Sequence, residues 1–120
     1  MFTSLQKAAL VRLSFIIISA DDVIQESESK FAFSVWKLVG VDAADVTLAK
    51  EMTAIDACNI VSNMDASARE LICAILGCLV VSDGNADPDE IKLWGAISEV
   101  CGMPTMTIAE ATRIVREKFE

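Results

Sequence analysis

The apolar positions of this 120-residue chain fall in helical runs separated by short polar breaks. Ser4 to Ala20 and Ser67 to Ser82 read as two strongly apolar helices, the second with Leu71 to Val81 almost free of polar side chains. Each is followed by an acidic break, Asp21-Asp22-Val23-Ile24 or Asp83-Gly84-Asn85-Ala86, and then by a second helix, Glu26 to Val39 or Pro88 to Cys101. In these the residues Phe31, Val35, Leu38 and Leu93, Ile97, Val100 recur at i, i+4 and i+7, the spacing of one helix face. Gly40 and Gly102 stand where a glycine closes a helix, and a third helix starts after each. Asp42 is the expected N-cap of the first of these, and Thr107-Ile108-Ala109-Glu110 a capping box for the second. Thr53 to Met64 reads as a linking helix. No segment alternates as a strand does, so the expected fold is all-α, a single domain over residues 1–120.

The same plan twice over is an internal repeat. An offset of 62 residues brings Asp21 onto Asp83, Glu28 onto Glu90, Lys30 onto Lys92 and Gly40 onto Gly102. It also aligns apolar pairs such as Leu10 with Ile72, Leu13 with Ile75 and Ile17 with Leu79. The expectation is two pseudo-symmetric three-helix halves, about 4–50 and 67–119. The apolar N-terminus is then the counterpart of an internal helix, and with Arg12 inside it, it reads as a retained helix rather than a signal peptide. Neither apolar run reaches the roughly 20 residues of a bilayer span.

Composition narrows the chemistry. There are 18 acidic against 10 basic side chains, a net charge of −8, which is the wrong sign for nucleic acid or anionic lipid. With no histidine, a Ser-His-Asp or Cys-His nucleophile pair and His-containing metal sites are excluded. Cys58, Cys73, Cys78 and Cys101 form no C-x-x-C pair and sit among apolar residues, as reduced core thiols of a cytoplasmic protein would. Trp36, Trp94 and the methionines are expected to pack, and Glu51, Glu70, Glu99, Glu110, Glu117 and Glu120 to form a solvated face.

The strongest chemical signal is Asp-x6-Glu, present as Asp21 to Glu28 and Asp83 to Glu90. Each Asp follows the C-terminal end of a helix, where the carbonyls already carry partial negative charge, so a bound cation would relieve the repulsion. Carboxylates and loop carbonyls are hard oxygen donors that suit Ca²⁺, Mg²⁺ or Mn²⁺ better than Zn²⁺. The candidate ligands are Asp21, Glu28, Asp83, Asp87 and Glu90. The competing explanation needs no metal: Asp87-Pro88-Asp89-Glu90 has the form of a capping box with Pro at N1, and Lys30 or Lys92 could neutralise an Asp. An EF-hand is excluded, since its sixth position would be Pro88 and its twelfth Trp94.

Val81-Ser82-Asp83-Gly84-Asn85-Ala86-Asp87-Pro88-Asp89-Glu90, followed by an apolar helix and Gly102, resembles the signature of the tellurite-resistance TerB-like family. Ser19 to Glu28 is similar to the same motif, with Asp22 where the pattern prefers Gly. The resemblance implies a bacterial stress-response protein with acidic clusters that chelate metal through Asp21, Glu28, Asp83 and Glu90, working beside membrane-associated or chaperone-like partners. The functional expectation is a non-enzymatic cation-binding scaffold or interaction module with protein partners, no nucleic acid and no direct membrane insertion. The alternatives are a metal-dependent hydrolase built on the paired carboxylates, and a pure protein-interaction domain whose acids only cap helices.

Overall fold

The computed structural model describes residues 1–19, 26–82 and 87–120, with side chains for all of these except 26–28. The described residues form seven helices and no strand: α1 (Ser4–Ile18), α2 (Glu26–Leu38), α3 (Ala43–Glu51), α4 (Ala54–Ser62), α5 (Ala66–Val80), α6 (Pro88–Val100) and α7 (Ile108–Phe119). Their starts are written in the sequence as side-chain caps. Thr3, Asp42, Thr53 and Thr107 each close a reciprocal capping box with the residue three positions on, and Asp65 caps α5 through the Ala68 amide at 2.8 Å. Each cap satisfies an amide that the helix itself cannot.

Two helices are hydrophobic on every side and therefore lie in the middle. In α5 every residue from Leu71 to Val80 is buried, and in α1 eight of fifteen are, from Ala8 to Ile18. These two touch each other, and the rest surround them: α3 and α4 pack on α1, α7 packs on α5, and α2 and α6 touch both. Gly77 sets the closeness of one of these contacts. A Cβ there would stand 2.5 and 2.8 Å from ring carbons of Trp94 and 3.0 Å from the Ala111 Cβ, so α6 and α7 rest against bare α5 backbone.

Each central helix also receives an indole N–H. Trp36 of α2 donates to Ser14 Oγ at 3.3 Å, and that hydroxyl donates in turn to Leu10 O at 2.7 Å. Trp94 of α6 donates to Cys73 O at 3.0 Å. Both rings are buried, so the bonds supply what burial of a polar N–H demands.

The offset of 62 recurs in the helix bounds, 4–18 against 66–80 and 26–38 against 88–100. It recurs in the turns as well. Gly40 and Gly102 have φ of 84° and 68°, and the next amides, Val41 N and Met103 N, return to Trp36 O and Ser98 O at 2.9 and 2.8 Å. Helix α4 has no counterpart at that offset, and α7 is longer than α3 and starts later.

The buried stripe of the second helices differs from the sequence expectation. Leu38 is 58% exposed and Val100 72% exposed. The core positions are Ala32, Val35, Trp36 and Val39 on or just after α2, and Glu90, Trp94, Ile97, Ser98 and Cys101 on or just after α6. The tryptophans claim the face, and the residues one helical step away turn to solvent. The first helices also stop two residues earlier than expected, at Ile18 and Val80, where the serine hydroxyls of Ser19 and Ser82 turn back onto Phe15 O and Leu79 O.

Candidate functional site

The second acidic junction is the better defined. Helix α5 ends at Val80 with Val81 as its cap, and the chain is described again from Asp87, the N-cap of α6. Asp87 Oδ1 accepts from the Asp89 amide at 2.8 Å and the Glu90 amide at 3.4 Å, while Pro88 occupies N1, where no N–H is needed. The sequence thus places a carboxylate on the positive end of α6. Asp87 is half-buried. Glu90 is turned inward and only 1% exposed, so it is a core residue rather than the solvated half of a capping box.

Among the five carboxylates singled out from sequence, Asp87 and Glu90 are therefore brought together on one helix start. Asp21, Asp83 and the Glu28 side chain lie outside the described residues. Among the described residues no group of three Asp, Glu, Cys or His side chains could hold a metal ion. Asp87 and Glu90 are the described part of any cation site at this junction. Neither α1 nor α5 has a basic side chain in its last turn, a lack they share with α4 and α6, whereas α2, α3 and α7 carry Lys37, Lys50, and Arg116 with Lys118 there. The last turns of the two central helices thus supply no basic side chain of their own to their carbonyl ends.

A third acid, Asp45, was hidden by its ordinary position at N3 of α3. It is 2% exposed; its Oδ2 accepts from the Asp42 amide at 3.0 Å and lies 3.3 Å from Lys7 Nζ, which also donates to Gly40 O at 3.1 Å. Burial pushes the Asp45 carboxyl up, but the Asp42 hydrogen bonds and the Lys7 ammonium outweigh it and hold the group below its ordinary value. This pair ties α1 to the turn before α3. The Asp42-x-x-Asp45 spacing signalled the cap, but nothing local signalled Lys7.

Away from the junctions, α4 and the end of α6 enclose an apolar groove of about 250 Å³ lined by Ile55, Cys58, Ala96, Ile97 and Val100. Ile55 and Val100 are each 72% exposed on its rim. Sequence reading assigned Val100 to the core, which concealed this surface. No described helix is long and apolar enough to cross a membrane.

No protein-family model matches the chain, and no curated protein matches it. Its structure is similar to the crystal structure of a protein of unknown function from Porphyromonas gingivalis, with a TM-score of 0.88 and 25% sequence identity over 97% of this chain and 91% of that one. The likeness spans nearly both chains, so the all-helical architecture is shared as a whole.

Proposed function

We propose that this chain is a non-catalytic module that takes a divalent cation of the Ca²⁺, Mg²⁺ or Mn²⁺ type at its second acidic junction and uses it to set how that junction meets a protein partner. The observation that carries this reading is Glu90, a carboxylate inside the globule at the N-terminal turn of α6. Asp87 three residues earlier, and the C-terminal end of α5 with no basic side chain in its last turn, add negative potential at the same junction. A cation bound there would offset that negative potential. The similarity of Val81 to Glu90 to the TerB-like motif supports the same assignment, and with it a role in tellurite resistance or stress response in a bacterial cytoplasm.

Calorimetric titration of chelator-treated protein with Ca²⁺, Mg²⁺, Mn²⁺ and Zn²⁺ tests it. At least one of the first three should bind and raise the melting temperature, as mass action requires, and Glu90→Gln and Asp83→Asn should each remove most of that rise. The reading is wrong if all four ions leave the melting curve where chelator leaves it. A second reading is favoured by the exposed Ile55 and Val100: the acids only cap helices, and protein contact is made through the α4–α6 groove. It predicts no response to any ion.

A further inference from the structure

The large apolar side chains left exposed among the described residues gather, apart from Met1 and Ile91, on two separate faces. One is the surface around α4, which carries Ile55, Val100 and Leu5. Two hollows flank this helix and share Asn59: the α4–α6 groove, and a second of about 460 Å³ toward α1 and α3, lined by Leu5, Leu48, Met52 and Ile60. Its charges are of one sign. Glu51 and Asp56 line the second hollow, Glu99 is exposed beside Val100, and no lysine or arginine lines either hollow.

The other face is the outer side of α2. From Lys30 to Leu38 its exposed side chains are Lys30, Phe33, Ser34, Lys37 and Leu38, with no acid among them. At about 100° per residue the two lysines lie between Phe33 and Leu38 around the helix. No residue of α2 lines either hollow. In a chain of net charge −8 this face is locally reversed in sign. Other basic side chains are occupied within the fold: Lys7 with Asp45, Arg113 with Glu117 and Arg116 with Glu120.

We propose that the outer face of α2 in one copy docks on the α4 face of a second copy, so that this chain associates with itself through two unlike surfaces. A helix laid into the trough between two others is ordinary ridge-and-groove packing. Phe33 and Leu38 bring apolar surface to Ile55 and Val100, and Lys30 and Lys37 bring positive charge to Glu51, Asp56 and Glu99. Two copies at net −8 repel each other at large, so attraction requires a face of the opposite sign, and α2 supplies it. Each copy carries one face of each kind, so the contact repeats from copy to copy unless it closes on itself. The inference rests on the α4–α6 groove being a docking surface, the second reading given above, and is independent of cation binding.

Light scattering and sedimentation of the full chain from about 1 μM to about 1 mM, the span of weak association, test it. The mean mass should rise with concentration above that of one chain, and added salt should shrink the rise, because the facing charges are exposed. Leu38→Asp on one face and Val100→Asp on the other should each hold the mass at one chain. Mixed in equal amounts, the two variants should form pairs and nothing larger, since only one sound contact remains between them. If an aspartate variant does not fold, Lys37→Glu and Glu99→Lys serve instead: each alone should weaken association, and mixing should restore it. A wild type that keeps the mass of one chain throughout overturns the proposal. So does association that survives Leu38→Asp or Val100→Asp, or a mixture that forms no pairs. A monomeric wild type that binds a synthetic lysine- and leucine-rich amphipathic helix, and loses it on Val100→Asp, also overturns self-association while leaving the groove a docking site for a foreign helix.

Discussion

The contact at Gly77 makes a prediction whose sign runs against helix propensity. Replacing a helix-interior glycine by alanine ordinarily stabilises a protein by up to about 1 kcal/mol. At Gly77 the added methyl would come within 2.5 Å of Trp94 Cζ2, 2.8 Å of Cη2 and 3.0 Å of the Ala111 Cβ. The indole has little room to yield, because it is buried and its N–H is held on Cys73 O at 3.0 Å. Forcing it aside costs about 1–3 kcal/mol in overpacking, plus about 1–3 kcal/mol if the buried N–H loses its acceptor. After the propensity gain, Gly77→Ala should destabilise by about 1–5 kcal/mol, a fall of roughly 4–20 °C in Tm at about 4 °C per kcal/mol for a domain of this size. Gly95 is the internal control: it lies in α6, and a Cβ there would meet nothing within 4 Å. Gly95→Ala should raise stability by about 0.5–1 kcal/mol. Urea denaturation followed by circular dichroism reads both. Adding Trp94→Phe to Gly77→Ala should cost at least about 1 kcal/mol less than the sum of the two single changes, since the pair shares one clash. Equal or greater stability of Gly77→Ala relative to the wild type would refute the packing argument.

Three further perturbations follow from other contacts. Asp45→Asn keeps an acceptor for the Asp42 amide but removes the charge facing Lys7, and should cost about 1–3 kcal/mol at pH 7. Because the folded-state pKa of Asp45 is depressed, that contribution is complete above the unfolded-state value near 4 and is lost as pH falls through the folded-state value, so wild-type and variant Tm should converge in acid. Ser14→Ala removes the acceptor of the Trp36 indole in a buried site and should cost about 1–3 kcal/mol by chemical denaturation, while Ser14→Thr should cost less if its hydroxyl reaches the same place. Asp87→Ala uncaps α6 and should cost about 0.5–2 kcal/mol, whereas Asp87→Asn should cost a few tenths, measured as the shift in urea midpoint.

Most of the fold was legible because this chain spells its helix ends with side chains. Asp42, Thr107, Pro88, Gly40 and Gly102 stand in the structural roles that their types announce. What failed was rotational phase. Leu38 and Val100 fit an i, i+4, i+7 pattern equally well, but the bulkier Trp36 and Trp94 needed both burial and an acceptor, and the helices turned to supply them. The ends of α1 and α5 were read two residues long because the apolar run continues past the point where the serines bend the chain. At the candidate site, Asp87 was legible as a cap. The burial of Glu90 was not, since a Glu at N3 is normally a solvated capping partner and only the surrounding helices decide otherwise. The meeting of Cys58 with the end of α6 is likewise a product of tertiary packing, with no local sequence signal.

The two indole bonds also make the molecule its own optical instrument. The chain has no tyrosine, so ultraviolet emission excited in the indole band comes from Trp36 and Trp94 alone. One reports on the contact of α2 with α1, where Phe15 and Phe33 meet its ring edge-on at centroid distances of 5.5 and 5.3 Å. The other reports on the contact of α6 with α5, held against a backbone carbonyl. Replacing either tryptophan by phenylalanine leaves a single lamp in one half of the chain. Comparing the two lamps during unfolding would show whether the α1–α2 and α5–α6 contacts come apart in one event or in sequence.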